Sequence, residues 1–199
     1  MTKVGVLALQ GAVVEHVKML QALGIEARQV KLPEQLDGID GLVIPGGEST
    51  TIGKLLVSFN LLDKLLGVIA EGVPVLGTCA GMILLARATS QDFDQPLIGA
   101  MDIVVRRNGF GRQVDSFETD LRVPVLGERP FRAIFIRAPY IERVGEQASI
   151  VATLGDGKVV AARQGNLLAC AFHPELGADL RFHQYFSEII SMRQVPTGR

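Results

Sequence analysis

Cysteine and histidine are scarce in this 199-residue chain: two of the first, Cys79 and Cys170, and three of the second, His16, His173 and His183. Two cysteines cannot build a disulfide framework, and no Cys/His spacing fits a zinc site. Charge of one sign is also lacking, since 20 Lys+Arg against 21 Asp+Glu leave a formal net charge of −1. That balance gives no electrostatic reason to expect nucleic acid or an anionic membrane as partner. Arg106, Arg107 and Arg112 form the only notable basic cluster, which is too small for a nucleic-acid patch. Long hydrophobic runs are missing too. No stretch approaches the ~20 apolar residues that span a bilayer. Met1-Thr2-Lys3 is followed by an apolar run only from Val4 to Leu9, unlike a secretory leader. The expectation is a cytoplasmic protein. With 48% hydrophobic and 21% charged residues the chain has ample core material. It is expected to form one domain, residues 1–192, followed by a C-terminal tail, 193–199.

The first half alternates strand and helix signals. Lys3 to Leu9, Glu26 to Lys31, Gly41 to Ile44 and Val73 to Leu76 read as strands. Ala12 to Leu23 has helical spacing and stops at Gly24. Leu55 to Ala70 is helical with a break near Asn60, and Met82 to Ala88 is helix-prone. Short continuous apolar strands between helices imply a parallel sheet covered on both faces. The second half is strand-rich: Met101 to Arg106, Phe117 to Val123, Arg132 to Ile136, Ile150 to Leu154, Val159 to Ala162 and Leu167 to Phe172. A closing helix is expected over Asp179 to Met192. The fold class is therefore α/β, an open three-layer sandwich with a mostly parallel central sheet and an antiparallel extension. Ligands bind such sheets beyond the carboxyl ends of the strands. That rule gathers Gln10, Gly46 to Thr50, Cys79 and His173 at one edge.

Cys79 sits in Gly77-Thr78-Cys79-Ala80-Gly81, directly after a short apolar strand and before a helix-prone stretch. This is the layout of a nucleophile elbow. The glycines allow the tight turn, and the helix brings its positive dipole end to the sulfur, where an anionic sulfur would be stabilised. A small buried cysteine at a helix start is the bland alternative. A cysteine nucleophile needs an imidazole to accept and return a proton, and the imidazole needs a third group to orient it. Of three histidines, His173 stands in His173-Pro174-Glu175 after the last strand. Residues two apart in an extended segment point the same way, so Glu175 can reach the far ring nitrogen. A loop histidine beside a solvated glutamate is the alternative here. With the elbow upstream, a Cys79–His173–Glu175 triad is favoured, and His183 is expected to be nearly dispensable for activity. Cys170 lies mid-strand and reads as an inert core thiol.

Pro45-Gly46-Gly47-Glu48-Ser49-Thr50 lacks the Gly-Lys-Ser/Thr ending of a phosphate loop. It is either a plain turn before a helix or a donor loop, in which the Gly47 N–H joins that of Ala80 in an oxyanion hole. Gly109-Phe110-Gly111-Arg112 lacks the third glycine of a dinucleotide fingerprint.

Taken together, the elbow, the Pro-Gly-Gly-Glu-Ser-Thr loop and the His-Pro-Glu segment resemble a class I glutamine amidotransferase. Leu9-Gln10-Gly11-Ala12, Pro45 to Thr51, Arg107-Asn108 with Phe110 to Glu118, Phe135 to Pro139 and Phe172 to Leu176 narrow the likeness. They resemble the glutaminase subunits of pyridoxal 5′-phosphate synthases along essentially the whole chain. Ile83 stands where many other class I amidotransferases carry glutamine, and Gly109 where these subunits often have serine.

The resemblance implies a glutaminase domain that hydrolyses L-glutamine to glutamate and ammonia through a thioester on Cys79, with no cofactor and no metal. It also implies a glutamine pocket of Gly47, Glu48, Ser49, Arg107, Ile136 and Arg137. The implied partner is a barrel-shaped synthase subunit in a large hetero-oligomer. The glutaminase of imidazole glycerol phosphate synthase is the alternative within the class. A cysteine peptidase or chaperone of similar fold, or a non-catalytic binding module, would be a different class of answer.

Overall fold

The computed structural model describes residues 1–91, 94–111 and 116–194. The first half of the chain forms β1 (Lys3–Leu7), α1 (Val13–Ala22), β2 (Glu26–Val30), β3 (Gly41–Ile44), α2 (Ser49–Ser58), α3 (Leu61–Ala70), β4 (Val75–Thr78) and α4 (Ala80–Leu85). The second half adds β5 (Ala86–Thr89), β6 (Met101–Arg106), β7 (Ser116–Leu121), β8 (Phe131–Ile136), β9 (Tyr140–Val144), β10 (Ser149–Thr153), β11 (Val159–Gln164), β12 (Leu167–Cys170) and α5 (Arg181–Gln194).

The main sheet runs β2-β1-β3-β4-β12-β11-β9-β6-β5, with β10 also on β11. From β2 to β12 every pair is parallel. β3, β4 and β12 are buried at every residue, as expected for strands covered on both faces and free of alternating polar positions. From β12 to β6 the pairs are antiparallel, while the last pair, β5 with β6, is parallel again. The expected α/β sandwich with its extension is therefore present.

Two helices differ in extent from the sequence reading for physical reasons. The helix after Cys79 starts at Ala80 and ends at Leu85, because Ala86–Thr89 is drawn into pairing with β6. The helix expected from Leu55 begins already at Ser49, where the Glu48 side chain accepts the Thr51 N–H at 2.7 Å and caps it. The break at Asn60 is where expected, with φ at 54° separating α2 from α3. β5 and β9 are the strands without a counterpart in the sequence reading. Both are partly exposed, and long-range pairing rather than local apolar pattern defines them. Residues 193–194 of the expected tail continue α5, and 195–199 lie outside the described residues, as do Arg112 to Asp115.

β7 and β8 form a separate two-stranded sheet. Its surface ion pairs, Arg132 with Glu118 and Asp120, are exposed on both sides, and such pairs contribute about 0–1 kcal/mol. Aromatic packing holds the hairpin more firmly: Phe117 stacks on Phe135 at 4.6 Å, and Phe135 meets Phe172 edge-on at 5.8 Å. Each such pair contributes about 0.5–1.5 kcal/mol beyond its buried area. Phe172 is next to His173, so the hairpin is fastened to the edge where the sequence places its chemistry.

Candidate active site

Cys79 connects β4 to α4 with φ 48° and ψ −101°, a conformation that costs a non-glycine residue about 1–3 kcal/mol. The surroundings enforce it. The Cys79 N–H donates to Cys170 O at 2.8 Å. A Cβ on Gly81 would run into the Ile44 carbonyl, and one on Gly77 into the Gly81 backbone and Leu85. Asn108 (φ 47°) and Arg137 (φ 41°) are also left-handed, so three of the strained non-glycine positions lie around one cleft.

β4 and β12 are parallel neighbours, with Thr78 opposite Cys170. Cys79 and His173 therefore leave the same end of adjacent strands. The His173 N–H donates to Ile134 O of β8 at 2.8 Å, which fixes the segment. The His173 Nδ1 lies 2.7 Å from Glu175 Oε1. The route differs from the extended one expected: Pro174–Leu176 forms a 3₁₀ turn, which folds Glu175 back beneath the imidazole. A Cβ on Gly46 would meet the His173 ring and come within 3.3 Å of Cys79 Cβ, so thiol and imidazole crowd the same point. The Cys79 Sγ is 4.0 Å from Ile136 O, at the limit of hydrogen bonding. Burial by itself would push the His173 pKa down. The hydrogen bonds and charges of Cys79 and Glu175 outweigh that and raise it to about 10, so this imidazole carries its proton at neutral pH. Cys170 is fully buried, and burial pushes its pKa well above the ordinary thiol value, as suits an inert core thiol.

Cys79 and His173 open into a cleft of about 500 Å³, large enough for an amino acid. Gly47, Glu48, Ser49, Arg107, Ile136 and Arg137 all line it, as does Ile83. Ala80 and Glu175 do not line it. Ala80 begins α4, so its N–H has no carbonyl one turn back to pair with, and Glu175 is 4% exposed behind the imidazole. Arg107 is locked in place: it donates to Glu48 Oε1 at 3.1 Å, Thr50 Oγ1 at 3.2 Å and Gln95 Oε1 at 3.1 Å. It is thus a cleft residue rather than a member of a solvated basic patch. Gln95 Oε1 also accepts from Ser49 and Thr50. Gln10 Oε1 accepts the Glu48 N–H at 2.7 Å. For Glu48, burial raises the carboxyl pKa, but the Thr51 and Thr50 amides and the Arg107 guanidinium hold it below the ordinary value. It is an anion in the cleft.

Gln95, His16 and His183 take part in this architecture without any local sequence signal. His16 on α1 and His183 on α5 are fully buried behind Glu175. Burial lowers the His183 pKa to about 4. Burial, then His183 and His173, lower that of His16 well below the ordinary value. The unfolded chain takes up these protons near pH 6.5 and the fold does not. The stability they contribute is therefore complete above about pH 6.5 and is lost as pH falls towards 4, by about 3 kcal/mol for His183 alone. His173, protonated in both states below 6.5, adds no slope there. Thermal melts should show a steep fall in Tm across this window, flattened in His183→Gln. An unchanged slope in the variant would refute the assignment.

An α/β sheet of this topology, mostly parallel with an antiparallel part, is the fold of class I glutamine amidotransferases. Residues 6–192 match the SNO glutamine amidotransferase family, and the chain belongs to that family. It is 64% identical over 185 residues to the pyridoxal 5′-phosphate synthase subunit PdxT of Herpetosiphon aurantiacus, covering 92% of this chain and 97% of the relative. It is 62% identical over 186 residues to the subunit of the same name from Pelotomaculum thermopropionicum, covering 94% of each. A solved structure described as a glutamine amidotransferase superposes with a TM-score of 0.89 at 48% identity, covering 94% of this chain and 98% of the other.

Proposed function

We propose that this chain is the glutaminase subunit of a pyridoxal 5′-phosphate synthase, its residues 1–192 acting as one domain. It hydrolyses L-glutamine to L-glutamate and ammonia and passes the ammonia to a synthase subunit. The observation that carries this is a strained cysteine elbow beside the His173–Glu175 pair, in a chain similar along nearly its whole length to proteins of that name. Those likenesses favour this reading over the glutaminase of imidazole glycerol phosphate synthase.

In the proposed reaction the Cys79 sulfur attacks the side-chain carboxamide carbon. The Gly47 and Ala80 amides receive the charge that develops on oxygen. His173, protonated at neutral pH, gives its proton to the departing nitrogen, and ammonia leaves a glutamyl thioester. The imidazole then takes a proton from water, the hydroxide attacks the thioester, and glutamate departs as the sulfur is released. Glu175 keeps the imidazole turned towards the sulfur. A positioned acid–base group contributes about 10²–10⁴-fold and one oxyanion donor about 10²–10³-fold. Gly47, Glu48, Ser49, Arg107, Ile136 and Arg137 form the glutamine pocket. Glu48 suits the α-ammonium and the arginines the α-carboxylate.

Ammonia released into water is protonated and ceases to be a nucleophile, so hydrolysis here is useful only if a partner receives it directly. The partner we propose is a barrel-shaped synthase subunit, in a large hetero-oligomer with glutaminase subunits outside. Docking would order the Gly47 loop, now tied to Gln10 through the Glu48 N–H, and complete the oxyanion hole. Glutamine turnover is therefore expected to rise about 10²-fold when the synthase subunit is added, with glutamine-dependent formation of pyridoxal 5′-phosphate. Equal turnover with and without the synthase would overturn the docking step, and absence of glutamine-dependent product would overturn the assignment.

A further inference from the structure

Behind the proposed triad lies a buried polar chain that the mechanism above does not use. His16 Nε2 is 3.3 Å from Glu175 Oε2 and 3.1 Å from Thr78 Oγ1, and His16 Nδ1 is 2.9 Å from His183 Nε2. His16, Thr78 and His183 are all 0% exposed. They come from α1, β4 and α5, so three separate elements meet at His16, whose Nε2 faces the Glu175 oxygen that His173 does not engage. We propose that His16 is a positioning residue for the glutaminase reaction: its Nε2–H holds the outer oxygen of Glu175, and His183 sets the His16 tautomer that makes this possible. The inference rests on the Cys79–His173–Glu175 reading and extends it.

The orphaned atoms decide the tautomers. Glu175 Oε2 and His183 Nδ1 are buried and lack an aligned hydrogen bond. If His16 carried its proton on Nδ1, its Nε2 lone pair would face a carboxylate oxygen in the dry interior. His183 would then accept at Nε2 and keep a buried N–H with no acceptor. If His183 Nε2–H donates to His16 Nδ1, the His16 proton sits on Nε2, facing both Glu175 Oε2 and Thr78 Oγ1. Only a lone pair on His183 Nδ1 is then left without a partner. Unpaired buried donors are the costlier orphans, so the second arrangement wins. Burial also keeps both rings neutral, as this arrangement requires. The 3.3 Å contact is off line for a hydrogen bond because the same N–H is shared with Thr78. It acts as a dipole aimed at the carboxylate, and stops Glu175 from rotating away from His173. Thr78 precedes Cys79, so the chain also ties the base of the nucleophile to the orienting group.

The test uses the glutaminase in complex with its synthase subunit and reads kcat and KM for glutamine hydrolysis. In His16→Gln the amide N–H falls near the position of Nε2 and should keep kcat within about fivefold of wild type. In His16→Asn, equally polar, the amide falls near Nδ1 and cannot reach Glu175. Its kcat should drop about 30-fold with KM unchanged, because nothing in the cleft is touched. Combined with Glu175→Ala, His16→Asn should cost less than about twofold more, since the group it acts through is gone. Equal kcat in the folded Gln and Asn variants, or the same loss with and without Glu175, overturns the proposal. Should neither His16 variant fold, His183→Leu gives a second reading, with a kcat loss of about threefold expected and no loss overturning it. If Cys79→Ala hydrolyses glutamine as wild type does, the functional reading fails. If Cys79→Ala is inactive while His16→Asn is unaffected, only the present inference fails.

Discussion

Cys79→Ala is expected to lower glutamine turnover by the assembled complex about a millionfold, and His173→Ala by a similar factor, because groups that act as a unit are lost together whichever is removed. The double variant should be no worse than either single one. Ammonia release under saturating glutamine checks this, and residual turnover within a hundredfold of wild type in Cys79→Ala would refute the nucleophile assignment. Glutamine should still bind the variant, since Glu48, Arg107 and Arg137 reach the cleft from loops that do not depend on the sulfur. A second readout separates chemistry from folding. The His173 pKa is raised to about 10 against burial, chiefly by Cys79 and then by Glu175. The His173 imidazole should therefore titrate lower in Cys79→Ala than in wild type, followed by its ring NMR signals in a variant that remains folded. An unchanged titration would show that sulfur and imidazole do not interact.

How much of this was legible in the sequence follows from how local each determinant is. Cys79 stood out because the elbow is enforced by Gly77 and Gly81, its near neighbours, where added side chains would strike backbone. His173 stood out because few histidines exist and this one follows a buried strand. Glu175 reaches the ring by a route that its spacing from His173 does not reveal: a 3₁₀ turn, not an extended segment, brings it there. The strand-to-helix alternation exposed the parallel half, whereas β5 and β9 are half-polar and owe their existence to pairing with β6. Gln95 gathers Ser49, Thr50 and Arg107 on one oxygen, and His16 meets His183 across 167 positions. Such contacts join single residues from distant elements, with no period or motif to announce them. The supporting contacts of the cleft are therefore hidden in the sequence, while the residues proposed to react are readable there.

That asymmetry has a direct experimental form in the glycines. Gly81→Ala would place a methyl group against the Ile44 carbonyl, on a strand hydrogen-bonded on both sides, to β1 and β4. Backbone in the middle of a sheet cannot step aside as a side-chain end can. The expected cost is about 3 kcal/mol of overpacking, or a Tm lower by about 6–12 °C for a chain of this size. The elbow should also be displaced, and because catalysis needs the sulfur placed to within about an ångström, kcat should fall at least about 10²-fold even in the folded fraction. Gly67 is the control. It lies in α3 with open space around it, so Gly67→Ala should raise stability by about 0.5–1 kcal/mol by removing unfolded-state freedom. Calorimetry of the two variants, followed by turnover at a temperature where both are folded, separates the alternatives. If Gly81→Ala melts with wild type and retains its turnover, the tight β4–α4 turn is not what presents Cys79, and the strain observed there has no catalytic purpose.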